Sequence, residues 1–66
     1  MKIEPNKLMS IPEVAEYLGV KISTIYDWVH CRQIPYHKIG RLVRFRPSDI
    51  DAWIASKRVE VYDLGG

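Results

Sequence analysis

The sequence predicts a mainly α-helical domain carrying one small β-hairpin, in the order helix, tight turn, helix, hairpin, helix. Three observations lead there. Ser10-Ile11-Pro12-Glu13 opens an apolar stripe that Gly19 closes. A second stripe, Ile25, Trp28 and Val29, follows after a very short connection. Beyond Pro35 the pattern changes to alternation around Gly40-Arg41 before Pro47 starts a third helix. At 66 residues and 7.7 kDa the chain accommodates one core. Its 47 % hydrophobic and 27 % charged composition is that of a folded domain.

Each element has a local cause. Ser10 and Glu13 have the spacing of a capping box, in which each side chain satisfies the other residue's free backbone N–H, and Pro12 falls where no N–H is missed. Met9 is placed to staple onto Val14. Ile11, Val14, Ala15 and Leu18 recur at helical spacing, and Gly19 accepts the positive φ that ends a helix, so helix one spans about 11 to 18. Helix two spans about 22 to 31. The hairpin joins 36–39 to 42–46 through Gly40-Arg41, a two-residue turn starting on Gly. Val43 and Phe45 then share one face, and Leu42, Arg44 and Arg46 the other. Pro47 and the acids Asp49 and Asp51 suit the first turns of helix three, whose buried stripe is expected at Ile50, Trp53 and Ile54. Lys57 and Arg58 suit its C-terminal end. Residues 1–7 read as a loose arm, 8–58 as the domain, and 59–66 as a tail without a helical stripe.

The charge is segregated. From Trp28 through Ser48 the charged side chains are Arg32, Lys38, Arg41, Arg44 and Arg46 with no acid among them, which is +5 in a chain of net charge +2 and leaves −3 for the remainder. A basic segment of this kind suits a polyanion. No stretch approaches the roughly 18 apolar residues of a membrane span, the start MKIEPNK lacks a signal-peptide core, and the sole cysteine, Cys31, has no internal partner; a cytoplasmic, reducing location is expected. His30, Cys31 and His37 are zinc-ligand types, yet adjacent ligands without a fourth make a poor tetrahedral site, so no metal and no other cofactor is expected. No nucleophile motif or phosphate-cradling glycine loop occurs, so the chain is not expected to be an enzyme. Trp28 and Trp53 fall on buried stripes and are assigned to the core rather than to base stacking.

Two helices crossing through a tight turn require a small residue at the contact and a turn residue with positive φ, and Ala15 and Gly19 supply them. At this point the run SIPEVAEYLGVKISTIYDWV followed by IPYHKIGRLVRFRPSDIDAWI resembles the excisionase-like, MerR-related winged helix-turn-helix domains, over about residues 8 to 56. The likeness rests on Ala15, Gly19, Val20 and Ile25, on the Ser-Thr-Ile-Tyr of helix two, on Pro35, on the Gly40-Arg41 wing turn, and on Asp49, Ala52 and Trp53. It implies a protein that binds double-stranded DNA with helix two in the major groove and the hairpin wing on the backbone or the neighbouring minor groove.

With Ile25, Trp28 and Val29 inward, the outward positions of helix two are Lys21, Ile22, Ser23, Tyr26, Asp27 and His30, bordered by Thr24. The hydroxyls of Ser23, Thr24 and Tyr26 suit phosphates or base edges, Lys21 a phosphate, and Ile22 a thymine methyl. Lys21 stands where the family commonly has a Ser or Thr cap, and Ile22 and Asp27 where it frequently has basic residues. Most of the attraction to phosphate is therefore assigned to the wing, to Lys38, Arg41, Arg44 and Arg46. The role implied is that of an excisionase or a small transcriptional regulator. It would occupy and bend a site used in recombination or transcription, beside a recombinase (integrase) or neighbouring copies of itself. The alternative is a small adaptor or inhibitor that uses helix one and the tail to contact a protein.

Overall fold

The computed structural model describes residues 7–60 and gives three helices and one antiparallel hairpin: α1 (Ile11–Leu18), α2 (Ile22–His30), β1 (His37–Ile39), β2 (Leu42–Arg44) and α3 (Pro47–Ser56). This is a winged helix-turn-helix. The expected arm and tail, apart from Lys7 and from Val59 and Glu60, lie outside the described residues.

α1 begins as its sequence dictates. The Ser10 backbone N–H donates to Glu13 Oε1 at 2.9 Å, and the Glu13 N–H donates to Ser10 Oγ at 3.4 Å. Hydrogen bonding to the Glu13 carboxylate, first from the Ser10 backbone N–H and then from the Ser10 side chain, holds this carboxyl below its ordinary range, with the charges of Lys7 and Arg44 acting in the same direction. A depressed carboxyl stabilises the fold at pH values above its unfolded range and loses that contribution as the pH falls through its folded value. Glu13→Gln keeps the acceptor and removes the titration. Its unfolding midpoint is therefore expected to drop less than that of the wild type between neutral and acid pH, as read by thermal melts across that range.

Gly19 ends α1 with φ 71°, and the Schellman pair is complete: the Gly19 N–H donates to the Glu16 carbonyl at 3.2 Å and the Val20 N–H to that of Ala15 at 3.0 Å. This reversal lets α2 start at Ile22. α2 ends in the same manner, the Arg32 N–H donating to Val29 O at 3.1 Å and the Gln33 N–H to Trp28 O at 2.7 Å. Here the left-handed position is taken by Arg32, at φ 55°. A side chain at that φ costs about 1 kcal/mol relative to glycine. Arg32→Gly is accordingly expected to raise the melting temperature by several degrees, as a gain of about 1 kcal/mol does in a domain of this size.

The core draws one fully enclosed side chain from each part: Val14 of α1, Ile25 of α2, Phe45 beyond β2 and Ile50 of α3. Met9, Ile11, Ala15 and Ile34 complete it, and every buried side chain among the described residues is apolar. The expected staple partners Met9 and Val14 are both in this cluster.

Several expectations are corrected. α2 ends at His30, with Cys31 at its cap and exposed. The strands are three residues each, because Phe45 leaves the hairpin: its N–H and carbonyl both bond Met9, at 2.9 and 2.8 Å. Arg46 becomes the N-cap residue of α3 rather than part of a strand. Trp28 and Trp53 are half-buried against the core, and Ile54 is exposed, since no described residue covers it. Lys57 follows α3 as its cap. Across the domain, the Tyr17 hydroxyl donates to Asp51 Oδ1 and ties α1 to α3; donating that proton to a carboxylate raises the phenol above its ordinary range. No helix of the described residues is long and apolar enough to cross a membrane.

Candidate nucleic-acid interface

α2 presents the surface that its periodicity predicts. Ile25 is enclosed, Trp28 and Val29 are half-buried, and Ile22, Ser23, Tyr26, Asp27 and His30 are exposed, with Lys21 ahead of them at the N-cap. Thr24 is half-buried at the border. Tyr26 is 57 % exposed in mid-helix, so its phenol is free for an external contact. No side chain caps the helix, so its first backbone N–H groups remain available to an acceptor.

The wing is fixed in place by two contacts outside its own ladder. The Met9–Phe45 bridge holds its outgoing end, and His37 Nε2 lies 3.0 Å from Asp49 Oδ2, which braces β1 against the first turn of α3. The turn needs Gly40, at φ 61°, and Arg41 follows it at the tip. The register pairs His37 with Arg44, Lys38 with Val43, and Ile39 with Leu42. Directly paired residues share a face, so Arg44 and Leu42 lie with His37 and Ile39, while Lys38 lies on the other face with Val43. The four wing cations are thus not one cluster.

Tyr26, Arg41 and Arg44 are the predicted residues that the fold does bring together. With Leu42, Ser10 and Pro12 they line a groove of about 270 Å³ between the outward face of α2 and the wing. Arg44 is half-buried there, its Nη1 donating to the Val43 carbonyl at 2.8 Å. Lys38 and Arg46 are exposed and do not line it.

Sequence reasoning passed over Ile39 and Leu42. They form the cross-strand pair next to the tip, 51 % and 52 % exposed, and flank the turn as the only apolar side chains so placed. Their signal was present: two large aliphatics bracketing a Gly-Arg turn have no core to enter.

The protein comparisons agree with this architecture. A family model described as a helix-turn-helix domain matches residues 8–58. No curated protein and no solved structure matches the chain. The match runs from the residue before Met9 to the end of α3 and its cap, through both crossed helices, the wing and the brace between them, and on that extent the chain belongs to the helix-turn-helix domain family, which points to DNA as its partner.

Proposed function

We propose that the chain is a double-stranded-DNA-binding protein of the excisionase or small-regulator type, with α2 in the major groove and the wing tip on the backbone or in the adjacent minor groove. The observation that carries this reading is the continuity of the surface: Tyr26 of α2 and Arg41 and Arg44 of the wing line one groove, so a duplex lying along α2 meets the guanidinium groups without rearrangement of the chain. In this reading Ser23, Thr24, Tyr26 and His30 contact base edges and phosphates, Lys21 and the uncapped helix start take a phosphate, and Ile22 takes a thymine methyl. Asp27 repels phosphate and suits a cytosine amino group. Lys38 and Arg46 act as outlying phosphate contacts.

Ile39 and Leu42 add a mechanism for bending. Apolar side chains that enter a minor groove unstack base steps and kink the duplex, and this pair stands beside the arginine best placed to lead it there. A single module buries only roughly 600 to 1,000 Å² on DNA, which limits its selectivity for one site. Action beside a recombinase or neighbouring copies, at a recombination site or a promoter, follows from that limit.

A duplex labelled at both ends tests binding and bending together, through anisotropy and end-to-end energy transfer, on native flanking sequence and on random sequence. Tyr26→Ala is expected to weaken the preferred sequence about tenfold, the worth of one or two hydrogen bonds, with helicity by circular dichroism unchanged. Loss of helicity would make Tyr26 structural, and failure of the wild type to bind either duplex would end the DNA reading.

A further inference from the structure

On the far side of α2 the described residues leave a second groove open. Trp28 and Trp53 meet with ring centroids 5.5 Å apart and planes tilted by 59°. Trp53 Nε1 donates to the Gln33 carbonyl at 2.9 Å, so the polar edge of this indole is satisfied within the chain and its apolar body is what remains to be covered. Ile54, 41 % exposed, lies alongside. Together with Arg32, Lys57 and Arg58 these residues bound an open groove of about 1170 Å³ that no carboxylate among the described residues lines.

Its rim is cationic and already holds an acid. Lys57 Nζ stands 5.8 Å from the centre of the Trp53 ring, and Arg58 Nε lies 3.3 Å from Glu60 Oε1. The groove exceeds the roughly 300 to 1,000 Å³ of a small-molecule pocket and opens to solvent, which suits a peptide segment. Trp28 follows Tyr26 by two residues, about 200° around the helix, so this groove faces away from the surface assigned to DNA.

We infer that the groove is a docking site for an acidic peptide segment of a partner protein. An apolar anchor of that segment seats against Trp28, Trp53 and Ile54, and flanking carboxylates pair with Arg32, Lys57 and Arg58. Charge complementarity selects this occupant: Arg32 and Lys57 stand beside the indole floor and Arg58 already pairs with one carboxylate, that of Glu60, so the rim repels a basic segment and attracts an acidic one. The inference does not depend on the DNA reading.

Tryptophan fluorescence of the full chain tests it. The probes are a synthetic octapeptide of alternating Glu and Leu, its Lys-for-Glu counterpart, a peptide of residues 59–66, and an eight-nucleotide thymidine oligomer. The acidic octapeptide is expected to shift the emission saturably and the basic one to leave it unchanged. Lys57→Glu combined with Ile54→Ala, both at exposed positions, is expected to weaken the acidic peptide by about tenfold while duplex-DNA affinity stays within about twofold. Silence toward the acidic peptide, or an equal response to the basic one, overturns the inference. Tighter binding of the 59–66 peptide also overturns it and gives the groove to the chain's own terminal segment. A saturable response to the oligomer alone overturns it in favour of base stacking.

Discussion

Phe45→Ala is expected to unfold the domain. Phe45 is the largest of the fully enclosed side chains, and its backbone forms both hydrogen bonds of the bridge to Met9. Removing a buried phenyl costs about 3 to 5 kcal/mol, and a chain of this length, with no disulfide, holds only a few kcal/mol in total. Loss of the far-UV helical signal at room temperature, or a denaturant midpoint near zero, is the expected measurement. Trp28→Ala and Trp53→Ala are expected to cost less than Phe45→Ala, because each indole is half-buried and already borders solvent. A Phe45→Ala domain that melts like the wild type would mean that the wing and α3 do not share one core.

The second large effect concerns affinity. Arg41→Ala with Arg44→Ala removes the two cations that line the groove with Tyr26. Each neutralised phosphate contributes about 0.9 to the slope of log affinity against log salt, so losing two contacts flattens the slope by about 1.8 and weakens binding roughly 60-fold at 0.1 M salt, with the loss vanishing as salt approaches 1 M. A uniform loss across sequences assigns both guanidinium groups to phosphate. Loss confined to A·T-rich flanks assigns the wing tip to the minor groove. An unchanged slope would remove the wing from the binding mechanism.

Local signals in the sequence locate most of the fold. Ser10, Glu13 and Gly19 fix both ends of α1 because a capping box and a left-handed glycine are decided by neighbouring atoms. The outward face of α2 follows from the 100° step between residues, and the wing register follows from a two-residue turn. What depends on distant partners is not visible in this way. Arg32 takes a conformation that composition assigns to glycine, and only the chain's need to turn toward Ile34 and the core explains it. Phe45 leaves its strand for Met9, a residue 36 positions earlier, through backbone groups that carry no side-chain signature. Ile54 matches the buried spacing of α3 yet is exposed, since a small domain runs out of neighbours before the helix ends.

The candidate surface divides similarly. Hydroxyls and cations identified its residue types, but charge alone grouped Lys38 with Arg44, whereas the pairing of Lys38 with Val43 sets them on opposite faces of the wing. Leu42 was placed on the outward face of the hairpin, but its pairing with Ile39 beside the tip emerges only from the register.

The central claim is that one continuous surface, α2 outward face plus wing tip, receives the duplex. Amide and side-chain NMR shift mapping during titration with a short duplex tests it most directly. The account predicts that the signals of Ser23, Tyr26, Asp27, His30, Arg41 and Arg44 move together at one stoichiometry while those of Ile54 and Lys57 stay in place. Shifts gathered instead at Trp53, Ile54 and Lys57, with Tyr26 and Arg41 unmoved, would contradict it.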